Sequence, residues 1–271
     1  MPLRHPHDIE NDLEHTIPPL GGPDSQYLFT AMTVRSLALL EARAGMTLLD
    51  LGCGLGQDSL AIARRLPGGL VLGVEPSNRM IRWGQGEHRA GGANGAAVHF
   101  VRAFGEELPL RAACADALLC KGALDHFMDP AATMAEIERV LKPGGHAVIA
   151  LANYDSLACR LGRTLARLRC RLFPGAPEPE HPFYEPPPDH LTRFGYRTIL
   201  ALARPGLSLG RVEGLSLLWG FGPWARLVAW LPRPLAGAFV GAAAKLARII
   251  PTWADVIVIR LKRGEGEASG G

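Results

Sequence analysis

Residues 47–58 have the sequence Thr-Leu-Leu-Asp-Leu-Gly-Cys-Gly-Leu-Gly-Gln-Asp, an apolar run followed by three closely spaced glycines. The run Thr47 to Leu51 predicts a buried strand, and Ser59 to Leu66 predicts a helix that stops at Pro67-Gly68-Gly69. The glycines between these elements remove side chains, so the backbone can turn tightly and a ligand can lie against it. This strand–turn–helix unit predicts the ligand-binding edge of an α/β sheet.

Strands and helices alternate through the first 152 residues. After a helix over 26–43 and the unit above, the pattern predicts strands at Leu70–Glu75, Ala97–Val101, Ala117–Cys120 and His146–Ala152, with helices at Asn78–His88 and Pro130–Leu141. Strands that alternate with helices at these distances indicate a parallel, doubly wound sheet.

The pattern changes beyond residue 152. We predict a basic amphipathic helix over 154–173, a proline-rich loop over 174–188, a helix over 189–203, a strand over 207–219, helices within 223–250 broken at Pro232 and Pro234, and a last strand over 255–261. The fold class is therefore α/β, with a doubly wound, mostly parallel seven-stranded sheet and helical cap insertions. We expect an irregular arm over 1–25, one domain over 26–263 with insertions at about 153–190 and 220–250, and a flexible tail over 264–271. A separate second domain is the alternative.

Composition restricts the class of protein. The 271 residues are 48% hydrophobic and 20% charged, which allows a sizeable core and excludes disorder for most of the chain. No apolar run reaches the roughly 18 residues of a membrane-spanning helix, and the first residues show no signal peptide. The five cysteines are scattered without a CxxC pair, which disfavours a disulfide scaffold or a zinc site and predicts a cytoplasmic location.

Charge is distributed unevenly along the chain. Residues 1–150 carry 13 basic and 17 acidic side chains, a net charge of −4, whereas residues 151–271 carry 16 and 9, a net charge of +7. The basic part would suit an anionic partner such as a membrane surface, an acidic substrate or nucleic acid. The alternative is compositional bias, since 25 of the 29 basic residues are arginine.

The glycine spacing indicates which ligand the turn would bind. Gly52, Gly54 and Gly56 form GxGxG rather than the GxGxxG of dinucleotide-binding loops, and Asp58 follows at the helix start. A negative charge there disfavours NAD and suits a positively charged ligand without phosphate. Glu75 ends the next strand about twenty residues later, where a carboxylate can accept hydrogen bonds from ribose hydroxyls. The alternative role for Glu75 is a helix cap or a solvated acid.

Three further motifs follow in order: Phe104 to Leu110 after the third strand, Ala115-Asp116 before the fourth, and Leu141 to Gly145 before the fifth. Together with the glycine turn and Glu75, residues 26–152 resemble the class I S-adenosylmethionine-dependent methyltransferases of type 11. Asp189 to Leu200 also resembles the region after strand five in ubiquinone-biosynthesis O-methyltransferases. The resemblance implies S-adenosyl-L-methionine as cofactor. It implies that the cofactor-binding residues are Asp50, Gly52, Cys53, Gly54, Gly56, Glu75, Pro76, Ser77, Met80, Phe104, Gly105, Lys121 and Gly122.

These residues would divide among the parts of the cofactor. The resemblance implies that Asp50 through Gly56 cradle the methionine part, that Glu75 binds the ribose, and that Lys121 and Gly122 lie beside the transferred methyl group. Pro76, Ser77 and Met80 would border the adenine. The family often has an Asp-Ala pair near the adenine amine, whereas this chain has Phe104-Gly105, which leaves a backbone contact or stacking by Phe104.

Candidate catalytic residues follow the fourth strand. His126 is placed to act as general base for a hydroxyl acceptor, with Asp125 orienting it. His190, after the proline-rich loop, is the second candidate, and that loop could fold over the pocket as a lid. The alternatives are that His126 packs over the cofactor or caps a helix, and that His190 belongs to a structural helix start at Asp189 or Thr192.

A metal ion is not expected to be essential. Some ubiquinone-biosynthesis O-methyltransferases carry a Glu…Glu-His set after strand four that can hold a divalent metal. The corresponding positions in this chain are Gly122, Asp125 and His126, so one ligand is missing.

Residues 157–172 indicate the kind of methyl acceptor. A helix over these residues places five leucines on one face and four arginines on an adjacent face, a pattern typical of helices that lie in a membrane interface. We expect a small, apolar or lipid-like methyl acceptor, with oxygen as the favoured atom, and peripheral membrane contact through 154–173 and 219–250. A cap helix that buries its leucines is the alternative. Nucleic acid is not favoured, because no recognised motif accompanies the arginines. The sequence is also compatible with a polar acceptor, or with a non-catalytic cofactor-binding or membrane-associated partner protein.

Overall fold

The computed structural model describes residues 8–10, 22–90, 96–175 and 182–265. Seven strands form one sheet in the order β3-β2-β1-β4-β5-β7-β6. They are β1 (Thr47–Leu51), β2 (Leu70–Val74), β3 (Ala97–Val101), β4 (Ala115–Lys121), β5 (Leu141–Ala152), β6 (Leu207–Leu215) and β7 (Val256–Arg263). Strand β7 is antiparallel to both of its neighbours, and the other pairs are parallel. The predicted α/β, mostly parallel seven-stranded sheet is confirmed.

Helices connect these strands and cover the sheet. They are α1 (Pro23–Leu40), α2 (Gln57–Ala63), α3 (Asn78–Ala90), α4 (Pro130–Val140), α5 (Leu157–Leu172), α6 (Tyr196–Leu200), α7 (Gly222–Trp230) and α8 (Arg233–Ile249). Short 3-10 helices lie at Leu124–His126 and Pro251–Trp253. The break that the prolines predicted in 223–250 separates α7 from α8.

The sheet has an apolar core on each face. Side chains alternate along a strand, so the adjacent residues Leu48 and Leu49 enter different clusters. The Leu49 cluster contains Ile137 of α4 and Ile199 of α6. The Leu48 cluster contains Leu28 of α1 and Ile62 of α2. Burial on both faces explains why the parallel strands are nearly continuous apolar runs.

The strand order also locates the site. Strand β1 pairs with β2 on one side and with β4 on the other, so the order of the strands reverses between β1 and β4. Connections leave such a point in opposite directions, which opens a crevice at the carboxyl ends of the strands. The glycine turn after β1 and the segment after β4 both begin there.

Several predicted boundaries are wrong. Helix α1 begins at Pro23 rather than at residue 26, and β5 begins at Leu141 rather than His146. Of the helix predicted over 189–203, only α6 is helical. The residues before α6 remain in the loop and form contacts that hold the loop in place. Arg193 donates to Asp155, and Thr198 exchanges hydrogen bonds with the main chain of Gly195 at the start of α6.

The predicted irregular arm has an ordered role at residues 8–10. The Glu10 carboxylate accepts hydrogen bonds from the main-chain nitrogens of Asn78 and Arg79, so it caps α3. Arg102 forms an ion pair with Glu10 at 3.0 Å. Residues 1–7, 11–21 and 266–271, which hold most of the predicted arm and tail, lie outside the described residues.

Within the described ranges, no helix is both long enough and apolar enough to cross a membrane.

Candidate active site

The turn after β1 needs its glycines for two different reasons. Gly52, Gly54 and Gly56 all have positive φ, at 69°, 52° and 74°, which L side chains rarely adopt. A Cβ at Gly52 would collide with the Cβ of Ala123, and one at Gly56 would lie 2.7 Å from the ring of Phe100. At Gly54 the nearest atom would be the Met80 Sδ, 3.8 Å away. Gly52 and Gly56 therefore allow close packing, whereas Gly54 borders open space.

This difference predicts two distinct defects. Gly52→Ala combines a left-handed backbone with a steric clash, so we expect it to lower the free energy of unfolding by about 2–5 kcal/mol. Gly54→Ala carries only the backbone strain, about 1–2 kcal/mol, but places a methyl group where the ligand would lie. Thermal unfolding and calorimetric titration with S-adenosylmethionine separate the two variants. Equal unfolding temperatures, or unchanged cofactor affinity in Gly54→Ala, would contradict the assignment.

Glu75 lies directly after β2 and is buried, with 7% of its surface exposed. One carboxylate oxygen accepts from the Gly54 main-chain nitrogen at 3.0 Å, and the other accepts from the Ser77 nitrogen at 2.9 Å. Burial raises the pKa of Glu75, and the two backbone hydrogen bonds oppose that shift. Because each carboxylate oxygen has two lone pairs, both can accept one more hydrogen bond. That capacity matches a pair of ribose hydroxyls.

Asp50 is a buried side chain of β1 that faces α2. Its Oδ2 accepts from the Ser59 hydroxyl at 2.6 Å, which ties the strand to the helix that follows. Burial raises the pKa of Asp50, and the nearby Asp58 carboxylate raises it further. A cationic ligand group in the crevice would favour the charged form.

Asp58 forms an ion pair in the first turn of α2. The sequence predicts a negative charge at the start of α2, and the structure pairs that charge with the Lys121 ammonium at 2.5 Å. Lys121 also donates to the Thr33 hydroxyl of α1 at 2.7 Å. The ion pair joins the first turn of α2 to the end of β4, and Asp58 does not present a free charge to a ligand.

Further predicted cofactor residues lie around the same edge of the sheet. Met80 is buried in α3 beside the turn, and the Ser77 hydroxyl accepts from the Met80 main-chain nitrogen at 3.3 Å. Burial raises the pKa of the Cys53 thiol, so this group stays protonated. Gly105 lets the ring of Phe127 approach, because a Cβ there would lie 2.7 Å from it. The ligand contacts of all the predicted cofactor-binding residues remain predictions, including those of Pro76, Phe104 and Gly122.

Asp125 and His126 belong to the 3-10 helix after β4, and the loop at 189–190 lies against it. The Asp–His pairs are crossed: Asp125 Oδ2 lies 3.1 Å from His190 Nδ1, and Asp189 Oδ2 lies 3.4 Å from His126 Nδ1. The ring centroids of the two histidines are 4.4 Å apart. The prediction that Asp125 orients His126 is therefore wrong, because Asp125 contacts the other histidine. The structure brings all three predicted catalytic residues together.

Sequence reasoning missed two members of this cluster. The Tyr154 hydroxyl lies 3.2 Å from His190 Nδ1, and the sequence pattern indicates Asp189 only as a helix start. Tyr154 follows β5, so the rule that strand ends converge at one edge could have found it. Burial lowers the pKa of His190, and the Asp125 carboxylate opposes that shift. His190 is thus neutral at pH 7 and able to accept a proton.

Two carboxylate oxygens in the cluster are unsatisfied. Among the described residues, Asp125 Oδ1 and Asp189 Oδ2 are buried without a hydrogen-bond partner. The 3.4 Å contact of Asp189 Oδ2 with His126 is too long to count as one. Buried acceptors without partners are costly and concentrate where a ligand or water completes the site.

The loop over 182–193 is held against the cluster. The Thr192 main-chain nitrogen donates to the Asp125 carbonyl at 3.0 Å, and the Asp189 carbonyl lies 3.1 Å from His126 Nδ1. Arg193 donates to the Tyr154 carbonyl at 3.0 Å. These contacts fix the position of His190, while residues 176–181 of the proposed lid lie outside the described residues.

The donor set fits S-adenosylmethionine. Gly54 leaves open space beside the turn, Glu75 has unused acceptor capacity, and Asp50 would gain from a nearby cation. Glu75 and Gly54 would hold the ribose side of the cofactor, and the turn would hold its methionine part. When bound, the cofactor supplies a methyl group on a positively charged sulfur.

Comparison with known proteins agrees with this geometry. Residues 49–149 match the family model of the methyltransferase domain. A ubiquinone/menaquinone biosynthesis C-methyltransferase UbiE from Acidiphilium cryptum is 37% identical over 109 residues, 40% of this chain and 43% of that protein. The O-methyltransferase rstn1 from Aspergillus nomiae is 31% identical over 140 residues, 52% of this chain and 60% of that protein.

Solved structures show the same fold. The [4+2]-cyclase SpnF superposes with a TM-score of 0.59 at 20% identity, over 87% of this chain and 80% of that chain. The chain spans between about a third and three fifths of the length of the curated relatives it matches. S-adenosylmethionine is the cofactor of the matched family. Residues 49–149 of this chain thus match a methyltransferase domain of the class I, S-adenosylmethionine-dependent type.

Proposed function

We propose that this chain transfers a methyl group from S-adenosylmethionine to a small, apolar or lipid-like acceptor, with oxygen as the favoured atom. The observation that carries the proposal is the crossed Asp–His cluster beside the glycine turn and Glu75 at one edge of the sheet. Methyl transfer is an in-line displacement that needs proximity, orientation and a deprotonated acceptor.

The residues of the cluster divide this work. Asp125 accepts from His190 Nδ1, which fixes the ring and leaves Nε2 as the proton acceptor. His190 takes the hydroxyl proton of the acceptor, and Asp125 stabilises the resulting imidazolium. His126, held by Asp189, forms the neighbouring wall. The unsatisfied oxygens of Asp125 and Asp189 are available to the acceptor's hydroxyl hydrogens.

Oxygen is favoured over carbon or nitrogen because the cluster is built to remove a proton. A carboxylate–imidazole pair is a typical arrangement for general-base catalysis on a hydroxyl. We place the acceptor beside segments 153–190 and 220–250, which we propose are insertions in a single domain. A cytoplasmic location is part of the proposal, because the five cysteines are scattered along the sequence without a CxxC pair, which is typical of proteins of a reducing compartment.

The acceptor class can be tested with methyl-labelled S-adenosylmethionine, the purified protein and a whole-cell extract of its source. Label in the organic-soluble fraction, beyond a control without protein, would support an apolar acceptor. Label in the aqueous or macromolecular fraction would support a polar metabolite or nucleic acid instead. Alkaline lability of the labelled product separates methyl esters from methyl ethers.

Metal dependence is a separate question. Asp125, His126 and His190 each offer a ligand atom, and these atoms lie within 4.8 Å of one another. His190 thus supplies a third possible ligand beyond Asp125 and His126 of the Glu…Glu-His motif. The first position of that motif is Gly122 in this chain, so its carboxylate is absent. We nonetheless expect full activity after EDTA treatment and desalting, because His190 acts as a base and not as a metal ligand. A loss restored by Mg²⁺, Mn²⁺ or Zn²⁺, with the inactive variant His190→Gln as control, would contradict this.

A further inference from the structure

Helix α5 packs on the protein in an unusual way. Its buried residues are the small ones, Ala158, Cys159 and Gly162. Four of its leucines are exposed instead, with exposed fractions of 37%, 48%, 49% and 63% for Leu161, Leu165, Leu168 and Leu172. An amphipathic helix normally buries its leucines against the core. The alternative of a cap helix that buries its leucines therefore does not hold for these four.

The glycine of α5 explains the orientation. A Cβ at Gly162 would lie 2.6 Å from the ring of Tyr184 and 2.7 Å from that of Phe183, so these rings press against the helix. Arg163 stabilises the same packing of α5, because it donates hydrogen bonds to the carbonyls of Tyr184 and Tyr154. With its small-residue face fixed inward, α5 holds its leucine face outward.

Helices α7 and α8 present a second exposed apolar face. Val228, Ala236 and Val240 pack together on the inner side. The outer side exposes Leu227, Trp230, Leu235, Phe239, Leu246 and Ile249, with 82% of Trp230 and 75% of Ile249 accessible.

Two contacts connect this face with α5. The 3-10 helix Pro251–Trp253 touches both α5 and α8 and exposes part of Trp253. Phe183, which packs on Gly162, also lies 6.4 Å from the ring of Phe221 at the start of α7. The exposed residues of α5, Trp253, α7 and α8 are called the Leu–Arg surface below.

Charge determines what can cover the Leu–Arg surface. Segments 157–175 and 214–254 contain no Asp or Glu, and together they carry nine Arg and Lys residues. Arg160, Arg167 and Arg171 are exposed on α5, and Arg226, Arg233 and Arg248 are exposed on α7 and α8. A second copy of this chain would oppose positive charge with positive charge. An anionic lipid interface instead matches both the apolar and the basic side chains.

We infer that the Leu–Arg surface binds a bilayer that contains anionic lipids, with α5 lying in the interface plane. The exposed leucines, Trp230 and Ile249 enter the acyl boundary, and the arginines contact lipid phosphates. Tyr154 precedes α5 and contacts His190, so the docked helix adjoins the acid–base cluster. The inference does not depend on which atom is methylated.

The test is flotation of the full chain with vesicles of phosphatidylcholine, alone or with an equal amount of phosphatidylglycerol. We expect binding only to the anionic vesicles, with an affinity that falls as salt is added. L165S/L168S should bind at least tenfold more weakly, and R167Q/R171Q about fivefold more weakly per arginine. Trp83→Ser is the matched control, because Trp83 is also half exposed but lies on α3, beside β3 at the opposite edge of the sheet.

Several outcomes would overturn the inference. These are no flotation with anionic vesicles, equal flotation of L165S/L168S and wild type, or loss of binding in Trp83→Ser. A dimer in light scattering that L165S/L168S dissociates, without vesicle binding, would assign the surface to a second copy. Calorimetric titration with S-adenosylmethionine should give the same affinity for all these variants, which keeps this test separate from that of methyl transfer.

Discussion

We expect Glu75→Ala to weaken S-adenosylmethionine binding by about 1–3 kcal/mol, which corresponds to roughly a 5- to 150-fold increase in Kd. The carboxylate is buried and both of its oxygens already hold the backbone of the site, so its remaining lone pairs are fixed in position. The change removes hydrogen bonds to the ribose and also releases the nitrogens of Gly54 and Ser77. Isothermal titration calorimetry measures the affinity.

Two further variants separate these effects. Glu107→Ala makes the same chemical change at an exposed position after β3 and should leave the affinity within twofold. Glu75→Gln keeps one acceptor oxygen, so it should fall between wild type and Glu75→Ala. Thermal unfolding shows whether the turn has lost its order. Unchanged affinity in Glu75→Ala, with a folded protein, would remove Glu75 from the cofactor site.

The second large effect is expected for His190→Gln, which should lower kcat by roughly 10²- to 10⁴-fold, the usual contribution of a general base. Affinity for S-adenosylmethionine should stay within twofold, because we propose that His190 contacts the acceptor and not the cofactor. His126→Gln should cost less, since Asp125 contacts His190. His99→Gln, on the exposed side of β3, is the matched control.

The pH profile distinguishes catalysis from a structural role. Burial lowers the pKa of His190 below its usual 6.5, so the base form persists and activity should fall only at a pH below that value. The Asp125 carboxylate opposes that shift. Asp125→Asn should therefore move the acid limb of kcat/KM to lower pH while also reducing kcat. Full activity of His190→Gln, or an unmoved limb in Asp125→Asn, would contradict the base assignment.

Much of the fold could be predicted because short-range patterns determine it. The run Thr47 to Leu51 and the glycines after it placed β1 and its turn correctly, and Ala97 to Val101 gave β3 at its observed bounds. The 189–203 region failed for a tertiary reason. Asp189 and Thr192 are residue types that often start a helix. Here, however, the Asp189 side chain contacts His126, and the Thr192 main-chain nitrogen donates to the Asp125 carbonyl. Local propensity does not register such contacts.

In the candidate site, too, local sequence patterns predict some residues, whereas tertiary contacts determine the others. Glu75 and the glycines stand at strand ends, where spacing along the chain indicates their place. The crossed Asp–His pairs involve residues about 65 positions apart in the sequence, and no local pattern assigns Asp125 to His190 rather than to its neighbour His126. Exposure of the α5 leucines also depends on Tyr184 and Phe183, which lie beyond the helix.

The most direct test of the central claim is the formation of S-adenosylhomocysteine. The purified protein is incubated with S-adenosylmethionine and the organic-soluble fraction of a source extract, and the product is quantified over time by mass spectrometry. We expect many turnovers per protein molecule that require the extract and are nearly lost in His190→Gln. Binding of S-adenosylmethionine with no S-adenosylhomocysteine above the rate without protein, in any extract fraction, would contradict methyl transfer and indicate a non-catalytic cofactor-binding protein.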